Sequence, residues 1–323
     1  MSDMDLDRRV NIDAPRWDQN TYIGRLKYFF NVTNPLYILK TDEDLNKAKE
    51  LVDKYKSGQP LHGVTLNDVY HAKNVVDSAF HPDTGEKMIL FGRMSAQVPM
   101  NMIITGCMIT FYKSTPAVVF WQWFNQSFNA LVNYTNRSGS SEISTEQITK
   151  SYVLATSGAV STAIALNKLA KRAPSVVSRL VPFAAVAAAN CINIPLMRYK
   201  ELEQGLSVVD ENNNLLGHSK TAATYGISAV VLSRICMCAP GMILTPFIVE
   251  WIERKGVIRR YPWLPAPLQL LLCGVFLTFA TPMCCALFPQ TYPIAIHKLE
   301  TEIQENGKKL NPVPLIAYYN KGL

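Results

Sequence analysis

Side-chain amides recur at helical spacing along one stretch of the chain, Phe120 to Arg137, which reads FWQWFNQSFNALVNYTNR. Because a helix turns by about 100° per residue, six of these amides fall within an arc of roughly 100°. They are Gln122, Asn125, Gln126, Asn129, Asn133 and Asn136. A buried amide without a hydrogen-bond partner costs a few kcal/mol, so this face needs water, a neighbouring helix or a polar solute beside it.

The other faces of this stretch are apolar, with Trp121, Phe124 and Phe128 among their side chains. Two interpretations are open at this point. In one, the helix lies on a membrane surface with its amides toward water. In the other, the amides form the wall of a polar pathway, and the surrounding elements must decide between the two.

A second group that could do chemistry is the segment His81-Pro82-Asp83-Thr84-Gly85-Glu86-Lys87. Pro82 presets one backbone angle and Gly85 permits positive φ, so the segment predicts a tight turn. Asp83-Thr84-Gly85 matches the triplet of aspartic proteases, but that chemistry needs two carboxylates that share a proton. Here the single triplet lies between predicted helices. Three possible metal ligands on a turn are a weak signal as well, so the role of this motif is left open.

Composition indicates a membrane protein. Of the 323 residues, 48% are hydrophobic and 18% are charged, whereas about 25% of residues are charged in a typical soluble domain. The net charge is +7, but the basic residues form no patch interleaved with aromatics and no nucleic-acid motif is present. The seven cysteines lie in apolar stretches without a CxxC pair, so neither a disulfide framework nor a zinc site is expected.

The pattern along the chain predicts an all-α protein in three parts. Residues 1–98 form a polar, helical region, residues 99–289 a transmembrane domain, and residues 290–323 a tail with one short helix. Within the first part, Thr41 and Thr65 are each followed three residues later by an aspartate, which predicts capping boxes at two helix starts.

Five apolar stretches approach or exceed the length of about 20 residues that crosses a bilayer. They cover residues 99–121, 151–170, 177–197, 225–252 and 266–288. Basic residues are concentrated between the second and third stretches and between the fourth and fifth. With five spans, the positive-inside rule therefore places the N-terminal region inside and the tail outside. The first ten residues carry three aspartates and no apolar core, so neither a secretory signal nor a transit peptide is expected there.

Polar residues inside the spans add to the amide face. Asn190 and Asn193 lie in the third span, and Arg234 lies in the fourth with no acidic residue beside it. A cation at that depth costs at least ~2.5 kcal/mol, so Arg234 is expected to bind a solute carboxylate or the carbonyls of a helix end. The candidate substrate-binding residues are Asn125, Gln126, Asn129, Asn133, Asn190, Asn193 and Arg234.

Long, unusual strings recur from one end of the chain to the other. They are APRWDQ at 14–19, DSAFHPDTGEK at 77–87, WQWFNQSFNA at 121–130, NYTNR at 133–137, PFAAVAAAN at 182–190 and NKGL at 320–323. On these strings the chain resembles the sideroflexins over its whole length, most of all the animal branch that includes the serine carriers. The resemblance implies a multi-pass protein of the mitochondrial inner membrane, imported without a cleaved presequence.

The resemblance further implies that the protein imports serine into the matrix for one-carbon metabolism, with alanine, cysteine and glycine as further solutes. We therefore predict a carrier of small neutral amino acids, not an enzyme, with no cofactor, no metal and no nucleic-acid partner. Its partners are serine and the lipid bilayer; a homo-oligomer and proteins of the iron or haem pathways stay open. The alternative is a non-transporting scaffold in iron or haem homeostasis, which predicts amides packed against other helices with no cavity.

Overall fold

The computed structural model describes residues 10–81, 84–111, 114–135, 145–170, 174–310 and 312–322. The protein is mostly helical, as predicted, and it also contains a four-stranded antiparallel sheet. The predicted all-α fold is therefore wrong in omitting the sheet. The short strands of this sheet carry no long alternating pattern that would separate them from the polar loops around them.

Three helices form the N-terminal region. They are α1 (Tyr22–Val32), α2 (Asp42–Lys56) and α3 (Leu66–Ala79). Both predicted capping boxes are confirmed. At the start of α2, Thr41 Oγ1 accepts a bond from Asp44 N at 3.2 Å and Asp44 Oδ2 accepts one from Thr41 N at 3.1 Å. The same exchange between Thr65 and Asp68 begins α3.

Ten further helices, six of them long, follow from residue 97 in the described part of the chain. They are α4 (Gln97–Phe111), α5 (Thr115–Thr135), α6 (Thr145–Ala170), α7 (Ser175–Arg179), α8 (Val181–Met197), α9 (Tyr199–Gln204), α10 (Lys220–Arg254), α11 (Val257–Arg260) and α12 (Pro265–Cys285), with α13 (Thr301–Lys308) in the tail. The tail therefore contains the expected short helix. Short 3-10 helices lie at Pro35–Leu39, Leu90–Gly92, Met94–Ala96 and Ile296–Lys298.

The expected first span, residues 99–121, is not one helix. It is divided between α4 and α5, and the rings of Phe111 and Trp121 stack across the division with centroids 6.3 Å apart. Thr115 and Pro116 begin α5, and proline suits a helix start because its missing N–H would be unpaired there anyway. Two helices joined in a hairpin thus replace the single predicted crossing.

Two described helices, α10 and α12, are long and apolar enough to cross a membrane. They match the fourth and fifth predicted spans, and the prediction of five spans is not supported beyond them. The helix α8 is apolar but has 17 residues, short of the length of about 20 that spans a bilayer. The helix α6 has 26 residues, but its Ser and Thr residues lower its mean hydropathy. The first expected span is divided between α4 and α5.

Neighbouring long helices run in opposite directions. A Cβ on Gly106 of α4 would lie 2.8 Å from Leu270 Cγ of α12, and one on Gly274 would lie 2.4 Å from Met102 Sδ, so α4 and α12 are antiparallel. The helices α6 and α8 are also antiparallel, since a Cβ on Gly158 would meet Ile192 and the earlier Ser151 Oγ donates to the later Leu196 O. Glycine at these positions lets the helix backbones approach closely.

The sheet joins the tail to the segment between α9 and α10. Its strands are β1 (Leu206–Val209), β2 (Leu215–Ser219), β3 (Thr291–Ala295) and β4 (Ile316–Asn320). Their order is β2-β1-β4-β3, with Val208 opposite Tyr319 and Tyr292 also opposite Tyr319. Val208, Leu216 and Ile303 form the buried core on which α13 packs. The tail is thus bound to residues that the sequence assigned to the transmembrane domain.

The N-terminal helix α1 lies beside the end of α12 that leads into the tail. Arg25 Nε donates to Ala286 O at 2.9 Å, and the rings of Phe30 and Phe279 meet edge to face. These contacts place residues 22–30 and the sheet at the same end of the helix bundle.

Candidate functional site

The amide face of α5 points into the protein. Gln122 is 0% exposed, Gln126 is 2% exposed and Asn125 is 8% exposed, whereas Trp123 on another face is 46% exposed. The interpretation of α5 as a surface helix with its amides toward water is therefore wrong. Gln122, Asn125 and Gln126 lie among the helices, where each lost hydrogen bond is costly because no bulk water replaces it.

One direct hydrogen bond joins α5 to α8. Asn193 Nδ2 donates to Gln126 Oε1 at 2.7 Å, and Asn193 is 4% exposed. This bond occupies Gln126 Oε1. The other polar atom of the side chain, Nε2, is also buried, and it has no hydrogen-bond partner among the described residues. The structure thus brings together two of the predicted site residues and leaves one buried donor available to a polar ligand.

Small side chains position Asn193. Ala189 and Ala185, one and two turns earlier on α8, are both 0% exposed, and Gly158 of α6 faces Ile192 of α8. Small residues let helices pack closely in a membrane. Pro195 follows inside α8 and removes one backbone donor, which leaves the carbonyl of the preceding turn without its helical partner.

The other predicted amides are less constrained. Asn125 is buried, Asn129 and Asn190 are half-buried, and none of the three makes a hydrogen bond within the described part of the chain. Asn133 lies on α5, but its side chain is outside the described residues, as is all of Asn136. Ser127 and Tyr152 are 2.7 Å apart at their hydroxyl oxygens and tie α5 to α6 on the neighbouring face.

An apolar groove lies on α5, away from the amides. It is lined by Thr115, Pro116, Val119, Phe120 and Trp123. Phe120 and Trp123 are about half exposed, and an exposed aromatic face of this kind suits contact with lipid. This groove borders none of the candidate amides.

Arg234 belongs to a different part of the structure from the amides. It is half-buried on α10 and interacts electrostatically with Cys285 at the end of α12 and with Lys321 in the last residues of the chain. No hydrogen bond or ion pair joins its guanidinium to another residue in the described part of the chain. The predicted pairing of Arg234 with helix-end carbonyls is therefore not observed.

The family assignment follows from sequence comparison. A family model described as Sideroflexins matches residues 11–323. The chain belongs to the sideroflexin family. It is similar to Sideroflexin-1 of Homo sapiens, at 56% identity over 319 residues that cover 99% of each chain. It is also similar to Sideroflexin-3 of Homo sapiens, at 55% identity over 323 residues that cover 100% of each chain. No solved structure matches it.

In this sideroflexin, His81, Thr84 and Gly85 of the His-Pro-Asp-Thr-Gly motif belong to a turn between α3 and α4. Gly85 N donates to His81 O at 2.9 Å, His81 N donates to Glu86 O at 2.8 Å, and Gly85 has a φ of +66°. The ring of His81 accepts a bond from Thr84 N through Nδ1 at 3.2 Å. The predicted tight turn is confirmed at these residues, whereas Pro82 and Asp83 lie outside the described part.

The turn is also anchored to α2. Lys49 Nζ donates to Gly85 O at 2.8 Å and lies over the ring of Phe80, 4.9 Å from its centroid. Lys87 forms an ion pair with Asp42 at the start of α2. Within the described residues, no group of three His, Cys, Asp or Glu side chains could hold a metal ion. The contacts of Lys49 and Lys87 tie this turn to α2.

Sequence analysis missed three basic residues whose interactions come only from the fold. Arg25, Arg198 and Lys321 come from α1, the end of α8 and the segment after β4; Arg198 Nη1 donates to Lys321 O at 2.7 Å, and Arg25 and Arg198 help to lower the pKa of Lys321. Arg25 and Lys321 are 6% and 4% exposed. In the sequence, these residues are separated basic side chains in polar segments, a pattern that predicts a solvated surface. Only the fold brings them together.

Proposed function

We propose that this sideroflexin is a multi-pass amino-acid transporter of the mitochondrial inner membrane that imports serine into the matrix, where serine supplies one-carbon metabolism. Alanine, cysteine and glycine are its further solutes. Family membership supports the proposal, as do two helices long and apolar enough to cross a membrane. The amide face of α5 is the part of the molecule that would recognise the solute.

The buried pair of Gln126 and Asn193 carries the proposal. Its Gln126 Nε2 is enclosed and has no partner among the described residues, and an unsatisfied buried donor costs about 1–3 kcal/mol. A solute oxygen removes that cost when it accepts a hydrogen bond from this donor. Serine offers both a hydroxyl and a carboxylate as acceptors, and its zwitterion carries no net charge, which suits a wall of neutral amides.

The uncommitted amides extend the same surface. Asn125 and Asn129 follow Gln122 at helical spacing on α5, and Asn190 precedes Asn193 by one turn of α8. Their side chains make no hydrogen bonds within the described residues, so they can exchange partners as a solute passes. A pathway needs such weak, repeated sites, because a solute held too tightly at one of them would not be released.

Uptake of labelled serine by the purified chain in liposomes tests this function. We expect saturable uptake that unlabelled alanine, cysteine and glycine inhibit, and its loss in a Gln126→Leu variant. Trp123→Leu, on the exposed face of the same helix, is the matched control and should transport normally. Wild-type liposomes that take up no serine would refute the carrier.

The alternative is a non-transporting scaffold of the inner membrane that acts in iron or haem homeostasis. The direct bond between Gln126 and Asn193 favours it, because a scaffold needs its polar groups paired between helices. Expression of Gln126→Leu in cells that lack the protein separates the two functions. The scaffold predicts that iron and haem levels recover with this variant, and the carrier predicts that serine import does not.

A further inference from the structure

One side of α12 is lined by exposed apolar side chains. They recur every four residues, and they are Leu271, Val275, Phe279 and Met283, called here the exposed stripe of α12. Because a helix turns by about 100° per residue, side chains four positions apart lie one above another on a single face. The helix α12 is one of the two that are long and apolar enough to cross a membrane. In a bilayer, the exposed stripe is therefore the face of α12 that contacts lipid.

The N-terminal helix α1 packs against the last turns of this stripe. The rings of Phe30 and Phe279 meet edge to face with centroids 6.2 Å apart, and Tyr22 Oη donates to Met283 O at 3.3 Å. The 21 residues of α12 extend over about 31 Å, close to the ~30 Å thickness of the hydrocarbon core. Phe279 lies six residues before the end of α12, about 9 Å from it along the helix axis. An α12 that crosses the bilayer therefore places Phe30 at the depth of the acyl chains.

The exposed side of α1 is mostly apolar. Its residues are Ile23, Lys27 and Phe30, which share one face at helical spacing, and Ile23 and Phe30 are 57% and 36% exposed. Lys27 is the only charged residue on this face of α1, all of whose residues the structure describes. A lysine has an apolar stem long enough to carry its ammonium group from the acyl chains to the headgroups. This side of α1 therefore suits the boundary between hydrocarbon and water.

Polar side chains at both ends of α1 bond to backbone carbonyls of the protein. At its C-terminal end, Asn31 Nδ2 and Thr33 Oγ1 each donate at 2.7 Å to the carbonyl four residues earlier. Near its N-terminal end, Arg25 is 6% exposed and donates to three backbone carbonyls, one of which is Ala286 O at the end of α12. A segment at membrane depth needs such internal partners, because acyl chains offer no hydrogen bonds.

We propose that α1 is partly inserted into one leaflet of the bilayer beside α12, and that Ile23 and Phe30 contact the acyl chains of its lipids. The exposed side of α1 adjoins the exposed stripe of α12, so one layer of lipid covers both. Amphipathic helices bind membranes through an apolar face of this kind. A soluble partner protein could not follow α12 to the depth of Phe279. The insertion of α1 depends on the membrane location proposed above and does not require serine transport.

Fluorescence quenching in liposomes of phosphatidylcholine tests the insertion. In a full-length, cysteine-free background, Ile23→Cys and Phe30→Cys are each labelled with a small fluorophore; both positions are exposed, so neither replacement opens a cavity in the core. Phosphatidylcholine brominated on its acyl chains quenches labels in hydrocarbon, and iodide quenches labels in water. Val275→Cys on the exposed stripe is the reference for lipid, and Leu315→Cys in the tail, which is 83% exposed, is the reference for water.

We expect brominated lipid to quench Phe30→Cys to a similar degree as Val275→Cys, and iodide to quench it several-fold less than Leu315→Cys. Strong quenching of Phe30→Cys by iodide alone would refute the insertion of α1. Quenching by neither agent would refute it too, because a second copy of the chain or another protein would then cover α1. If brominated lipid leaves Val275→Cys unquenched, α12 does not span the bilayer, and the premise fails together with the insertion.

The depth of each label supplies a second, independent readout. Ile23 follows Tyr22, which bonds to Met283, whereas Phe30 meets Phe279, one turn deeper in α12. Lipid brominated near the headgroup should therefore quench Ile23→Cys more than Phe30→Cys, and lipid brominated near the end of the acyl chain should do the reverse. Equal or reversed depths for the two labels would contradict the insertion.

Discussion

Asn193 on α8 donates a hydrogen bond of 2.7 Å to Gln126 on α5, and both side chains are almost completely buried. The two residues are 67 positions apart, so the bond fixes how the two helices face each other. It also orients Gln126, whose amide nitrogen, Nε2, has no hydrogen-bond partner among the described residues. A structural contact and an available donor thus share one side chain.

Removing the pair one member at a time should separate these two roles. Gln126→Leu or Asn193→Leu alone leaves the other amide buried without this bond, so each should destabilise the protein by about 1–3 kcal/mol. The double variant removes both polar groups and should recover much of that loss. Serine uptake should nevertheless stay abolished in the double variant. Thermal unfolding in detergent and uptake in liposomes give the two measurements, and a stable double variant with normal uptake would reduce the pair to a structural contact.

The titration of Lys321 makes a prediction about stability and pH. Burial and three arginines lower its pKa from 10.5 to about 8. Between these values the unfolded chain binds a proton that the folded chain does not, so this lysine's contribution to folding stability rises with pH across the window. The unfolding temperature of the wild type relative to Lys321→Met should therefore rise between about pH 8 and pH 10. Parallel curves for the two proteins would mean that Lys321 titrates normally.

The local features of this chain could be predicted from its sequence. A capping box needs two residues three positions apart, and both predicted boxes are present. The amide face of α5 also follows from helical spacing alone. The same spacing could not predict whether this face is exposed to water or buried. That depends on α8, which supplies Asn193 from a distant part of the chain.

The long-range features could not be predicted. The division between α4 and α5 interrupts a continuous apolar run, so hydropathy does not mark it. Strand β1 pairs with β4, more than a hundred residues later, and neither strand alone shows which partner it has. Arg198 and Lys321, which are joined by the hydrogen bond from Arg198 Nη1 to Lys321 O, likewise belong to distant segments, each of which looks like an ordinary charged surface by itself.

Packing between α4 and α12 should be sensitive to a single methyl group. A Cβ on Gly106 would lie 2.8 Å from Leu270 Cγ and 3.0 Å from Leu270 Cα, and because the latter is a backbone atom it cannot rotate away. Gly106→Ala should therefore destabilise the protein by about 1–3 kcal/mol. At Gly241 the same methyl group would make ordinary contacts at 3.8 Å or more, so Gly241→Ala should gain about 0.5–1 kcal/mol from helix propensity. Equal unfolding temperatures for both variants would contradict the close approach of α4 to α12.

The hairpin of α4 and α5 changes the expected membrane topology. Six long helices, α4, α5, α6, α8, α10 and α12, then lie between the N-terminal region and the tail, and Arg25 and Ala286 meet at one end of the bundle. We therefore predict that both regions lie on the same side of the membrane. Leu39 and Leu315 are exposed near this end, and Trp263 is exposed in the connection between α11 and α12 at the other end.

Cysteine accessibility tests this topology. In a cysteine-free background, Leu39→Cys and Leu315→Cys should react with a membrane-impermeant maleimide from the same side of intact mitoplasts. Trp263→Cys should react only after the membrane is opened. If the whole chain is inverted, Trp263→Cys should react in intact mitoplasts and the other two variants only after the membrane is opened. The three positions are comparably exposed, so differences in labelling report the side rather than burial. Labelling of Leu39→Cys and Leu315→Cys from opposite sides would contradict the prediction. It would require an odd number of membrane crossings and the separation of α1 from α12 in the membrane.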